Sequence, residues 1–140
     1  MSTEISGTRR AEVARRADFR REYCLIQERD SGFPHQVDHI ISRKHGGPSS
    51  AENLALACII CNRNKGSDIA SLIEQTGEVV RLFNPRMDRW AEHFRIDGQS
   101  IEPLSQVGSV TVRLLRLNSA ERLSERALLQ TLGLYPTAAG

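Results

Sequence analysis

Residues 37–66 read VDHIISRKHGGPSSAENLALACIICNRNKG, and their reading decides the fold. Val37, Ile40 and Ile41 are β-branched and flank Asp38-His39, which predicts a short strand carrying adjacent carboxylate and imidazole groups. Neighbouring strand residues point to opposite faces, so Asp38 and His39 are expected to straddle a strand end. From Lys44 to Ser50 the chain is turn-rich, and Gly46-Gly47-Pro48 forbids regular structure. Asn53 to Ala57 is apolar enough to return as a second, antiparallel strand. Cys58 to Lys65 suits a short helix stopped by Gly66. The predicted unit is strand, loop, strand, helix, with polar groups gathered in its cleft. A hydrophobic core requires none of those polar residues.

The order Asp38-His39, Asn53, then Cys58-Ile-Ile-Cys61-Asn62-Arg63-Asn64-Lys65-Gly66 resembles the core motif of HNH endonucleases, the ββα-metal nucleases. That family carries an acidic residue before His, a central Asn, and C-x-x-C followed by His or Asn and a Lys. The segment LFNPRMDRWAEHF (Leu82 to Phe94) is similar to one that follows the motif in small stand-alone HNH proteins. The resemblance implies an endonuclease that hydrolyses phosphodiester bonds of nucleic acid, with DNA the expected substrate. In that reading His39 is the general base, and histidine's ordinary pKa suits the task. Asp38 and Asn62 offer hard oxygen donors for one Mg²⁺ or Mn²⁺. Asn53 is expected to hydrogen-bond the loop backbone so that His39 points correctly. Arg43, Lys44 and His45, in the loop, and Arg63 and Lys65, at the helix, are candidate phosphate contacts. A non-catalytic nucleic-acid-binding module and a structural or protein-interaction metal-binding domain are the alternative readings.

The same resemblance raises the question of a structural zinc, for which many relatives use two C-x-x-C pairs. Cys58 and Cys61 form one pair; at Cys24-Leu-Ile-Gln27 the second position is taken to be Gln27, a poor zinc ligand. Cys24, Cys58 and Cys61 are therefore expected to pack as small apolar residues, with structural Zn²⁺ not expected. A site completed by His35 is the alternative.

The chain has 140 residues, consistent with one domain and a modest core. Its 19 basic and 17 acidic side chains give a net charge of +2, which neither requires nor excludes a nucleic-acid partner. No apolar run approaches the length of a membrane span, and the opening residues do not read as a signal peptide. Three cysteines, an odd number, argue for a reducing compartment, so a cytoplasmic location is expected.

Thr8 to Tyr23 reads as a helix with Arg9, Arg10, Arg15, Arg16, Arg20 and Arg21 on its outer faces. It is either a solvated face with weak intrahelical ion pairs or a ridge that meets phosphate through residues such as Arg16 and Arg20. After the motif, Asp68 to Gln75 reads as a helix capped by Ser67, Val79 to Phe83 as a strand, and Pro85 to Phe94 as a helix begun by Asn84-Pro85. A hairpin is expected around Gly98-Gln99. Val110, Leu114 and Leu117 share a helical face, although Val110 to Val112 also fits a strand, and Ser119 caps a last helix to Leu132. The expected architecture is a single α+β domain: a basic N-terminal helix (1–23), the ββα core (24–66) and a helix, hairpin and helix scaffold (67–140).

Overall fold

The protein is described by a computed structural model covering residues 5–31 and 34–136. It is a mixed α+β fold of five helices and three two-stranded antiparallel pairs among these residues. In chain order the elements are α1 (Gly7–Arg16), β1 (Gln36–His39), β2 (Leu54–Ala57), α2 (Ile59–Lys65), β3 (Ala70–Leu72), β4 (Val79–Arg81), α3 (Trp90–His93), β5 (Phe94–Asp97), β6 (Ser100–Pro103), α4 (Gln106–Leu115) and α5 (Ala120–Thr131). Short 3-10 turns lie at Glu28–Asp30, Arg43–His45 and Ala51–Asn53.

Every residue of β2 (Leu-Ala-Leu-Ala) is buried, which makes this strand the centre of the molecule. Its two faces pack differently, as a period of two demands. Leu54 and Leu56 join Val37 of β1 against Val13 and Ala14 of α1. Ala55 and Ala57 face the larger cluster of Tyr23, Cys24, Ile26, Cys58, Cys61, Phe83, Phe94, Ile101 and Leu115. Alanine on that second face lets bulky neighbours approach the strand closely.

Helix α1 is shorter than the sequence suggests. Ser6 caps it, its Oγ accepting from Arg9 N at 3.1 Å. Asp18 and Phe19 are both left-handed (φ 56°), and two such residues in succession reverse the chain instead of extending the helix to Tyr23. Residues 20–27 then fold back as a tight turn closed by an antiparallel bridge between Arg20 and Gln27. The predicted helix over Asp68 to Gln75 is also absent; strand β3 pairs there with β4, Ser71 opposite Val80. The predicted helix over Pro85 to Phe94 contracts to the four residues of α3, because Asn84 Oδ1 accepts from Arg86 N at 2.9 Å and makes a local turn. The hairpin at Gly98-Gln99 forms as expected, with Ile96 opposite Ile101. Val110 to Val112 lies within α4, and α5 follows Ser119.

The segment from Leu82 to Phe94 fastens this outer layer to the turn after α1. Phe83 meets Tyr23 edge to face at 6.3 Å, and Trp90 Nε1 donates to Tyr23 O at 3.0 Å. Arg86 pairs with Glu22, whose other carboxylate oxygen accepts from Leu56 N at 2.7 Å. One carboxylate therefore ties the segment to the central strand.

Candidate active site

The site is a cleft of about 280 Å³ lined by Val37, Asp38, His39, Ser42, Arg43, Asn62, Gly66 and Ser67. Strand β1 supplies Asp38 and His39, and helix α2 supplies Asn62. Asp38 lies opposite Ala55 and His39 opposite Leu54, so the two leave opposite faces of β1. They reach one cleft because His39 is the last residue of the strand.

The loop between β1 and β2 is held by Asn53. Its Oδ1 accepts from Ile41 N at 2.9 Å, and its Nδ2 donates to Ile41 O and Pro48 O, both at 2.8 Å. Gly47 explains the Gly-Gly-Pro sequence: a Cβ there would lie 1.7 Å from Ile41 O and 2.8 Å from Asn53 Nδ2. Gly46, at φ 85°, ends the Arg43–His45 turn in the left-handed region that glycine occupies without penalty. The backbone must pass this closely for one amide side chain to bridge both arms of the loop.

His39 Nε2 lies 2.9 Å from Ser49 Oγ. Burial lowers the imidazole pKa, Asp38 opposes that change, and the nearby Arg43 and Lys65 charges add to it. The ring is therefore biased toward its neutral form, the state a proton acceptor needs.

Asp38 is almost fully enclosed, at 3% exposure. Tyr23 Oη donates to its Oδ2 at 2.8 Å, and Lys65 Nζ lies 3.3 Å from each carboxylate oxygen. Burial raises the carboxyl pKa, while the Lys65 charge and the Tyr23 hydrogen bond pull it back down. Lys65 also donates to His39 O at 3.1 Å and Ile40 O at 3.0 Å, closing α2 onto the end of β1. This corrects the expectation that Lys65 contacts phosphate. Its ammonium is 2% exposed and its three N–H donors already have acceptors.

Asn62 Nδ2 donates to Gln36 Oε1 at 2.6 Å, which leaves Oδ1 as the amide's donor atom for a cation. Asp38 and Asn62 thus carry hard oxygens and line the same cleft, the kind of donor that suits a divalent cation. Tyr23, Gln36 and Ser49 were not singled out in the sequence reading. Tyr23 and Gln36 act across 15 and 26 residues of chain, and nothing in their local sequence marks them.

The basic candidates are dispersed. Arg43, Lys44 and His45 are exposed on their 3-10 turn, with Arg43 at the cleft rim. Arg63 is exposed on the side of α2 that faces Arg116 and Ser119. Arg16 is exposed on α1, and its guanidinium donates to Ala51 O at 2.7 Å and Leu54 O at 2.5 Å. Arg20 lies beyond α1, on a separate cavity with Arg16, Glu22, Gln27 and Trp90.

Cys24, Cys58 and Cys61 are buried, and their sulfurs lie within 4.8 Å of one another. They do not simply pack as apolar residues, as expected from the sequence. Arg122 of α5, 2% exposed, directs Nη1 at Cys61 Sγ at 3.5 Å. Hydrogen bonds from Cys24 and Cys61 draw the Cys58 thiol well below the ordinary thiol range, and the Arg122 charge works in the same direction. Cys61 and Cys24 are pushed the other way, chiefly through their contacts with the partner sulfurs. His35 does not complete the group, because its Nδ1 pairs with Glu28.

Residues 22–68 match the family model described as HNH endonuclease. No curated protein and no solved structure matches the chain.

Proposed function

We propose that this protein, whose residues 22–68 match the HNH endonuclease family model, hydrolyses phosphodiester bonds of nucleic acid, with DNA as substrate and a divalent cation as cofactor. The observation that supports the reading is the cleft itself: His39, with its neutral-biased imidazole, Asp38 and Asn62 line one space, beside a loop braced by Asn53. In this reading His39 gives Nε2–H to Ser49, so Nδ1 keeps its lone pair and accepts the proton of the attacking water. Asn53 does no chemistry; it fixes the loop that follows His39. Arg43 at the rim and Lys44 beside it meet the phosphates flanking the scissile one. Asp38 and Asn62 would hold Mg²⁺ or Mn²⁺, which supplies positive charge to the scissile phosphate and its leaving oxygen. Tyr23 and Lys65 keep the Asp38 carboxylate in place while it serves that role.

The test is incubation of supercoiled plasmid with the protein in Mg²⁺, in Mn²⁺ and in EDTA, beside His39→Ala. Metal-dependent conversion to nicked or linear DNA, lost in the variant, is the expected result. Binding without cleavage in either metal would identify a non-catalytic module instead.

A further inference from the structure

The sulfur cluster lies outside the cleft, and its surroundings are unlike those of a metal knuckle. Structural zinc takes four donors, almost always Cys or His. Three sulfurs converge here, and the fourth corner can be located from the backbone. The turn Cys58–Cys61 is closed by Asn62 N donating to Cys58 O at 2.9 Å. The turn Arg21–Cys24 is closed in the same way, Leu25 N donating to Arg21 O at 3.0 Å. Position 21 thus stands to Cys24 as Cys58 stands to Cys61. Arg21 is 2% exposed and lines one small opening together with Cys58, Arg122 and Glu125. Gln27 faces the other cavity, with Arg16 and Trp90. The position that departs from a four-cysteine pattern is therefore 21, not 27, and it holds an arginine.

Arg122 makes the second departure. Helix α5 buries two arginines one turn apart, Arg122 and Arg126. Arg126 is tied to oxygens: Gln99 O at 2.6 Å, Leu117 O at 2.7 Å and Asn118 Oδ1 at 2.9 Å. Arg122 has Cys61 Sγ as its hydrogen-bond acceptor; Glu125 Oε1 lies 3.5 Å from its Nε without forming a hydrogen bond. A guanidinium does not deprotonate in proteins, so a buried one must be met by negative charge. The group it touches is the sulfur cluster. A guanidinium also has no lone pair to give a metal.

We propose that the Cys24, Cys58 and Cys61 cluster is metal-free, and that the Arg122 guanidinium, directed at Cys61 Sγ, brings to the three sulfurs the positive charge that zinc supplies in a four-cysteine knuckle. Arg21 occupies the fourth corner. This pairing holds α5 onto the start of α2, and it is independent of the reaction assigned to the cleft.

Metal analysis of the purified chain, grown with added zinc, decides the first point. No stoichiometric zinc and a melting temperature unmoved by a strong chelator are expected. One zinc per chain with a chelator-sensitive melting temperature would overturn the proposal. The second measurement is the melting temperature in metal-free buffer, expected to be lower in Arg122→Met than in the wild type and partly restored in Arg122→Lys, which keeps the charge; a folded Arg122→Met as stable as the wild type also overturns it. The third is the double variant Arg21→Cys with Arg122→Met, which should bind one zinc per chain. A folded double variant without zinc would show that position 21 is not the fourth corner.

Discussion

Gln36 Oε1 accepts from Asn62 Nδ2 at 2.6 Å, so a residue of β1 sets the orientation of an amide on α2. The pair spans the two elements whose separation defines the cleft. Gln36→Leu is expected to let the Asn62 amide turn, weakening the apparent Mg²⁺ affinity by about 10- to 100-fold, the usual effect of removing a partner behind a metal ligand. A Mg²⁺ titration of the cleavage rate reads this directly. An unchanged midpoint would remove Gln36 from any positioning role.

His39→Ala should lower the cleavage rate by about 10²–10⁴ while leaving the melting temperature nearly unchanged. The pH profile of the wild type carries the sign of the local electrostatics. Burial lowers the His39 pKa, so the neutral, competent form persists to more acid pH than for a free imidazole. The rate should be on its plateau at neutral pH and fall only on the acid side of the range where a free imidazole titrates. An inflection on the alkaline side of neutrality would contradict the assignment.

Asp38→Ala should abolish cleavage and also lower stability. The sequence alone suggests the opposite for stability, since removing one carboxylate from an anion-repelling cleft ought to be neutral or favourable. The structure places that carboxylate against Lys65, with both side chains at 3% exposure or less. Removing it leaves a buried ammonium without its counter-charge, at a cost of about 3–5 kcal/mol. Tyr23→Phe takes away a single buried hydrogen bond to the same group and should cost about 1–3 kcal/mol. Denaturant melts of the two variants, run alongside cleavage assays, check both values.

Arg16 and Arg43 should separate in a salt series. Arg43→Gln, and likewise Lys44→Gln, should reduce the log–log salt slope of nucleic-acid binding by roughly one unit per lost phosphate contact. Arg16→Gln should leave the slope alone and lower the melting temperature, because its guanidinium is committed to Ala51 O and Leu54 O. A slope change in Arg16→Gln with unchanged stability would restore the ridge reading of α1.

The ββα element was legible because its signals are local. The β-branched residues flanking Asp38-His39, Gly46-Gly47-Pro48 and the Cys58 to Gly66 run each act within a few residues, and the strand pair and α2 formed where they indicated. The backbone contacts of Asn53 are of the kind that the resemblance to HNH endonucleases implies, and nothing in the local sequence distinguishes that Asn from a turn residue. The ends of helices were less legible. The arginine-rich run after Thr8 has helical propensity beyond Arg16, but the left-handed residues Asp18 and Phe19 reverse the chain, which leaves Phe19 exposed and carries Tyr23 onto Phe83. Likewise Ser67-Asp68 has the chemistry of a helix start, yet tertiary contacts favour a hairpin: Arg113 of α4 donates to Ser71 Oγ at 3.1 Å. Lys65 was misread for a related reason. A lysine in a polar run at the end of a short helix looks exposed until Asp38 and His39 of β1 and the following Ile40 supply acceptors for it.

The fastening of Leu82 to Phe94 onto the turn after α1 bears on portability. Tyr23, which holds Asp38, is itself covered by Phe83 and held at its carbonyl by Trp90. A fragment cut at residue 68 would keep every group of the cleft and lose the cover over the tyrosine that steadies one of them. The family-matching segment is therefore not a cassette to be lifted into another protein. Transplanting it would require carrying at least Phe83, Arg86 and Trp90 along, in a host surface able to present them from outside.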